Sequence, residues 1–255
     1  MSSLLYGEYY EYTSYMNTSP MEGHLHPVTQ LVRHVQAIFA ELGFDVALGP
    51  ELETEFYNFD ALNIPADHPA RDMQDTFWIK QSKEDITAGR ERLVLRTHTS
   101  PVQIRYMQTH TPPYGIIVPG KVFRNEATDA THEAQFFQLE GLLVAKEVSL
   151  AHLKGTLEFF FKRLLGNDIQ IRFRPSFFPF VEPGVEVDLL FRGKWLEVMG
   201  AGIIHPNVLR ASGVDPEQWS GYAFGGGLDR LAMIKYGIDD IRLFYNGDLR
   251  FVNQF

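Results

Sequence analysis

Apolar residues recur at helical spacing in three places along the chain. Val28, Leu31, Val32, Val35, Ile38, Phe39 and Leu42 follow the i, i+3, i+4, i+7 rule, with Pro27 in the first turn and Gly43 as the stop. Leu150, Leu153, Leu157, Phe161 and Leu164 form a second stripe, opened by Ser149 as N-cap and closed by Gly166. A third helix is predicted from Asp229 to its stop at Gly237. Elsewhere the pattern turns to short apolar runs. Residues 93–96, 115–124 and 136–145 predict strands, and 169–174 alternates with period two like a half-buried strand. Residues 185–191 and 195–203 flank Arg192-Gly193-Lys194, a hairpin signal. Strands joined through hairpins, with helices set apart, predict an α+β fold: an antiparallel sheet flanked by helices.

Other segments carry no such period. Residues 51–71 are irregular, aromatic and acidic, and 79–92 read as a solvated loop or hairpin tip. Residues 1–23 hold Tyr6, Tyr9, Tyr10, Tyr12 and Tyr15 among Ser, Thr and Gly, and read as an arm that is irregular, disordered or laid on another surface. With no repeat or linker after residue 24, residues 24–255 are expected to form one domain.

Composition narrows the function. A formal net charge of −9 argues against a protein that coats nucleic acid through a generally basic surface. The absence of cysteine removes thiolate catalysis and Cys-based zinc sites, and fits a reducing compartment. No histidine or carboxylate cluster has metal-ligand spacing, so no structural metal is expected. The first residues lack the basic and apolar regions of a signal peptide, and no apolar run has the length of a membrane span. A soluble, cytoplasmic protein is the expectation.

Two stretches carry chemistry. In the first, an apolar lead-in, Tyr222-Ala-Phe224, runs into Gly225, Gly226 and Gly227, and Arg230 opens the following helix. Such glycines suit either a tight turn or close approach of a ligand at φ values other residues avoid. Arg230 would add a guanidinium beside the positive end of the helix, which suits a polyphosphate. In the second, a strand ends in Arg124 and Glu126, and a returning strand puts Phe136, Gln138 and Glu140 on one face. That polar face reads either as a surface ion-pair ladder or as one wall of a cradle for a nucleotide and a small amine.

These residues resemble known motifs. Arg124-x-Glu126 in its hairpin resembles motif 2 of the class II aminoacyl-tRNA synthetases, Gly225-x-Gly227-x-x-Arg230 motif 3, and the helix–strand run to Pro50 motif 1. More narrowly, Phe56-Tyr-Asn-Phe-Asp-Ala-Leu-Asn-Ile-Pro65, His68-Pro-Ala-Arg-Asp72, Arg96-Thr-His-Thr-Ser-Pro101, Asp129-Ala-Thr-His132, Arg174-Pro-Ser-Phe-Phe-Pro-Phe180 and Ile238-Asp-Asp-Ile-Arg-Leu-Phe244 are similar to the α subunit of bacterial phenylalanyl-tRNA synthetase. The resemblance covers about residues 24–255.

It implies a class II catalytic domain that activates phenylalanine with ATP and Mg²⁺ and transfers it to tRNA(Phe). Arg124 would meet the α-phosphate and the amino-acid carboxylate. Arg230 would meet the γ-phosphate and one face of adenine, with Phe136 on the other face and Glu126 at its amino edge. Gly225 and Gly227 would floor the nucleotide. Glu197 is the candidate Mg²⁺ ligand, or else a solvent-facing strand carboxylate. The resemblance gives the amino-acid pocket His98, Ser100, Gln103, Gln138 and Glu140 as polar groups. Its apolar and small residues would be Phe178, Phe180, Val181, Gly200, Ala201, Gly202, Ala223 and Gly225, with the two phenylalanines meeting the substrate ring edge-to-face.

Two departures stand beside the resemblance. Residues 1–23 are too short for the family's N-terminal helical arm, and Asp229 stands where the family commonly has Glu. The chain also reaches Phe255 without the anticodon-binding domain of the mitochondrial form, which favours the bacterial subunit type. The alternatives are a paralogue that loads an aromatic amino acid onto a non-tRNA acceptor, or a non-catalytic amino-acid-binding relative. The apolar face of the helix in residues 28–50 is expected to bury against another chain, a second copy or a β-type subunit.

Overall fold

The fold is that of a computed structural model, which describes residues 24–71 and 76–255; the arm read at 1–23 and Asp72 lie outside the described residues. The first apolar stripe forms α1, Pro27–Glu41, with Pro27 in its first turn and the His26 ring accepting from the Val28 N–H at 3.3 Å. Gly43, at φ 78°, then turns the chain where an L side chain would be strained. Strand β1 is Asp45–Val46, and β2, Leu52–Thr54, leads into the single-turn helix α2, Glu55–Asn58.

Residues 79–92, read as a loop or hairpin tip, contain the short helix α3, Lys83–Thr87. Ser82 and Asp85 cap each other's backbone N–H at its start, a serine–aspartate spacing that the charge of the segment obscured. After β3, Leu93–Leu95, comes a longer helix missed in the sequence, α4, Ser100–Thr109, with Pro101 in its first turn. Next come β4, Tyr114–Phe123, β5, Gln135–Ala145, and helix α5, Leu150–Leu165. Strands β6, Ile171–Phe178, β7, Val181–Phe191, and β8, Lys194–Ile204, follow. The last elements are α6, Pro206–Ala211, β9, Ser220–Gly227, α7, Leu228–Tyr236, and α8, Leu249–Val252.

The main sheet has seven strands in the order β1-β4-β5-β9-β8-β7-β6, with β2 and β3 paired separately. All its pairs are antiparallel except β1 with β4. The β7–β8 turn has Arg192 at φ 48° and Gly193 at φ 75°, two left-handed positions as a tight hairpin requires.

Both faces of the sheet are covered. On one, α1, α5 and α7 bring Leu31, Phe39, Leu157, Phe160, Phe161 and Leu231 against Ile117, Leu139, Tyr222 and Phe224. On the other, Phe59, Leu62, Val102, Ile104 and Met107 pack on Ile116, Val118, Leu142 and Val144. Alternation along β5 therefore sends Leu139 to the first core and residues 136, 138, 140, 142 and 144 to the second side. The last two of these complete that core, and the first three are left to line a cavity.

The apolar face of α1 is consumed within the chain. Val28, Leu31, Val35, Ile38 and Phe39 are buried, and the Phe39 ring lies 4.9 Å from Phe160 and 5.5 Å from Phe224. This corrects the expectation that the helix face packs on another chain. In that region Val46 and Leu48, 44% and 80% exposed, are the large apolar side chains left outside the core. Phe39→Ala should cost about 3–5 kcal/mol in urea-unfolding stability, through lost burial and the cavity it leaves.

Candidate active site

The glycines at the end of β9 are needed for their missing side chains rather than for unusual φ angles. None of Gly225, Gly226 and Gly227 has a positive φ; all belong to extended strand. A Cβ at Gly225 would lie 2.7 Å from Glu140 Cγ, and one at Gly226 only 2.2 Å from the Val198 carbonyl oxygen. Strand pairing sets Gly225 opposite Glu140 and Gly227 opposite Gln138, and the Glu140 side chain lies over the bare backbone of Gly225. At Gly227 a Cβ would meet only Arg230, at 3.8 Å, and the space above it is open.

Two cavities flank this pair of strands. The first, about 310 Å³, is lined by Arg124, Glu126, Phe136, Gln138, Glu197, Gly225, Gly227 and Arg230. Arg124 and Glu126 lie just past the end of β4, not within it as expected. The Arg124 N–H still donates to Ala134 O at 2.9 Å, so the ladder carries the arginine to the cavity mouth. Its Nε donates to Thr97 O at 3.2 Å, its guanidinium lies 5.2 Å from the Phe136 ring centre, and Glu126 is an ion-pair partner at 4.0 Å. Arg230, at the start of α7, donates to the Glu197 carbonyl at 3.0 Å. The Glu197 carboxyl titrates above the usual carboxylate range, because it is partly buried and Glu186 lies nearby. Among the described residues no group of three or more His, Asp or Glu side chains forms a metal centre.

The second cavity, about 470 Å³, takes its walls from β5, β8, β9, α4 and the turn after β6. It gathers His98, Ser100, Gln103, Gln138, Glu140, Phe178, Phe180, Gly200, Ala201, Ala223 and Gly225. Phe178 and Phe180 stack on each other at 5.7 Å and 20°, and Gly200 makes room for the Phe178 ring, which a Cβ would meet at 2.9 Å. Two expected residues fall outside this cavity. Val181 lines a neighbouring one, and Gly202 exists to let Val181 pack, since a Cβ there would lie 2.7 Å from Val181 Cβ.

The polar end of the second cavity is held under strain of charge. Glu140 is buried and accepts from the Thr99 N–H at 3.1 Å, the Gln103 amide at 3.2 Å and the Ser100 hydroxyl. Burial nevertheless pushes its carboxyl up to about 7. Burial, then the Arg124 charge, lowers His98 to about 3, so the ring is neutral, and both of its nitrogens lack protein partners. Gln138 Oε1 is likewise buried and unpartnered. Together these groups offer a site for an ammonium beside a neutral donor–acceptor, under an aromatic slot.

The cavities share Arg124, Gln138, Gly200 and Gly225. A carboxylate whose ring lies in the second cavity would thus meet, at Arg124, a phosphate lying in the first. The sequence missed α4, which presents Ser100 and Gln103 from one face, although Pro101 marked its first turn. It also missed Arg96, buried, whose guanidinium donates to Gly49 O, Pro50 O and Lys121 O at 3.1, 3.1 and 2.7 Å.

The model of the tRNA synthetases class II core domain (F) matches residues 12–255. Phenylalanine–tRNA ligase α subunits of Dehalococcoides mccartyi and Synechocystis sp. are each 53% identical, over 245 and 234 residues. The aligned regions cover 91% and 92% of this chain and 70% and 68% of those proteins. The chain belongs to the class II tRNA synthetases, in the branch of the phenylalanine–tRNA ligase α subunits. The same-named subunit of Dechloromonas aromatica is 51% identical over 248 residues, 91% of this chain and 70% of that one. The solved pyrrolysyl-tRNA synthetase of Desulfitobacterium hafniense aligns with TM-score 0.67 over 86% of this chain and 73% of its own. At 17% identity, that likeness concerns the class II synthetase fold alone.

A carboxyl raised from 4.5 to about 7 favours the folded state fully at low pH and loses that contribution as pH rises through 7. In this class II core, Glu140→Gln should therefore unfold at progressively higher temperature than the natural protein as pH goes from about 5 to 8. Thermal melts across that range check it; a pH-independent difference would contradict a raised Glu140.

Proposed function

We propose that the chain activates phenylalanine with ATP to the aminoacyl-adenylate and then charges tRNA(Phe), as the catalytic subunit of a phenylalanine–tRNA ligase. The observation that supports this most is the pair of cavities joined at Arg124. A carboxylate oxygen of phenylalanine attacks the α-phosphorus of ATP, the bond from that phosphorus to the bridging oxygen breaks, and pyrophosphate leaves. Arg124, facing both cavities, stabilises the charge shared between carboxylate and α-phosphate, as a fixed planar fork does without reorganisation. Arg230 faces the leaving phosphates and adenine, Phe136 stacks on the other face of the base, and Glu126 accepts from its amino edge. No side chain acts as a nucleophile; catalysis is positioning plus electrostatics.

Glu140 and Gln103 receive the substrate ammonium, whose charge draws the Glu140 proton off. Phe178, Phe180 and Ala223 enclose the ring. Mg²⁺, when bound with ATP, supplies charge neutralisation at the phosphates. Glu197, a carboxylate on the wall of the nucleotide cavity, would be its protein ligand.

An apolar slot discriminates against an added hydroxyl by only about a hundredfold. Tyrosine rejection therefore belongs to a β-type subunit, with which this chain works in the cytoplasm. Among the described residues no helix is long and apolar enough to cross a membrane. The relatives lend no support to a non-tRNA acceptor or to a non-catalytic role.

Phenylalanine-dependent ATP–pyrophosphate exchange, with and without an added β-type subunit, tests the reading, and exchange under neither condition would sink it. Arg230→Ala should lower exchange at least about a hundredfold. Phe178→Ala should raise KM for phenylalanine with little change in KM for ATP, and an unchanged phenylalanine KM would remove Phe178 from the pocket.

A further inference from the structure

Asp229 is 1% exposed, although its neighbour Arg230 reaches into the nucleotide cavity. Its side chain is fully engaged. One carboxylate oxygen accepts the Phe137 N–H at 2.5 Å, and the other accepts the Tyr245 hydroxyl at 2.5 Å. Phe137 lies one residue past the last paired positions of β5 and β9, Gln138 with Gly227. The carboxylate thus stands in for the next rung after the chain has turned into α7. Asp is one methylene shorter than the Glu expected at this motif position, and the phenol supplies the donor on its second oxygen.

Tyr245 is itself held firmly. It follows the 3₁₀ turn Ile241–Phe244, whose Ile241 N–H donates to Ala130 O at 2.9 Å in the loop between β4 and β5. Phe244 is buried in the first core, and its carbonyl meets His26 Nε2 at 2.9 Å. One short segment therefore ties down the loop after Arg124, the strand carrying Phe136 and the helix carrying Arg230.

We infer that Tyr245 is a positioning residue for the nucleotide: through the Asp229 carboxylate its hydroxyl fixes α7 against β5, and hence the gap between Arg230 and Phe136. The inference rests on the ATP reading of that cavity. The groups around the pair from other elements are Glu133 in the β4–β5 loop, facing Tyr245, and Arg124, Glu126, His132 and Glu197 on the cavity wall, with Arg230 on α7 itself. Burial raises the Asp229 carboxyl to about 6, and the Tyr245 hydrogen bond opposes that rise.

The test is Tyr245→Phe in phenylalanine-dependent pyrophosphate exchange, with a β-type subunit present. KM for ATP should rise about tenfold or more, as loss of a hydrogen bond to a charged group predicts, while KM for phenylalanine holds. At saturating phenylalanine, which holds Glu140 ionised, the acid limb of kcat/KM for ATP should move up by about one pH unit, because Asp229 ionises less readily without its donor. An unchanged ATP KM and acid limb would overturn the inference, as would a fall in melting temperature with both KM values raised alike. Asp229→Asn supplies an independent arm should Tyr245→Phe not fold: at saturating phenylalanine, which holds Glu140 ionised, the acid limb of kcat/KM for ATP should flatten and the ATP KM rise, and a profile like the natural protein's would overturn the role. Absence of exchange in the natural protein would instead count against the ATP reading itself.

Discussion

Bare backbone at Gly225 and Gly227, facing Glu140 and Gln138 across the β5–β9 ladder, is the constraint on which the site depends. A single methyl at Gly225 would collide with Glu140 Cγ at 2.7 Å, and one at Gly226 with the Val198 carbonyl at 2.2 Å. These contacts involve packed side chain and fixed backbone, so the sheet could not relax around them cheaply. With no side chain at Gly225, Glu140 lies against β9, and the bare backbone of Gly225 is part of the floor of both cavities. Arg124 then reaches the point where they meet, and Arg230 sits in the first turn of the helix that begins directly beyond the last glycine.

The floor is built from groups that do not favour folding. Glu140 and Asp229 are buried, as are the ring nitrogens of the half-buried His98, and burial shifts each of the three toward its neutral form. Hydrogen bonds from Thr99, Ser100, Gln103, Phe137 and Tyr245 offset part of that cost for the two carboxyls. The two apolar cores supply the remainder of the stability, and the polar end of β5 begins where its apolar run at Leu142 and Val144 ends. Strain of this kind is typical of sites whose missing counter-charge is the substrate.

Much of this was legible in the chain. The stripe at Val28, Leu31, Val35 and Phe39 gave α1, because a period of 3.6 over four turns has few other solutions. Alternation placed Phe136, Gln138 and Glu140 together, since a strand leaves no choice of face. What the sequence hid has physical reasons. Helix α4 has its buried residues clustered at Pro101, Val102, Gln103 and Ile104, so no clean stripe appears. The partner of the α1 face was misread because periodicity shows that a face is buried, never against what. The roles of Val181 and Gly202 went astray because a small residue beside a pocket and one that admits a packing neighbour look alike in sequence. The Asp229–Tyr245 contact joins positions 16 apart through a turn, which no local pattern encodes.

The central claim is that one floor holds phenylalanine and ATP end to end across Arg124. A crystal structure of the protein with a non-hydrolysable phenylalanyl-adenylate analogue tests it most directly. The account predicts the phenyl ring against Phe178 and Phe180, the ammonium at Glu140, the bridging phosphate at Arg124, and the adenine between Phe136 and Arg230. An analogue bound with its adenine outside the Phe136–Arg230 gap, or with its phosphate out of reach of Arg124, would contradict it.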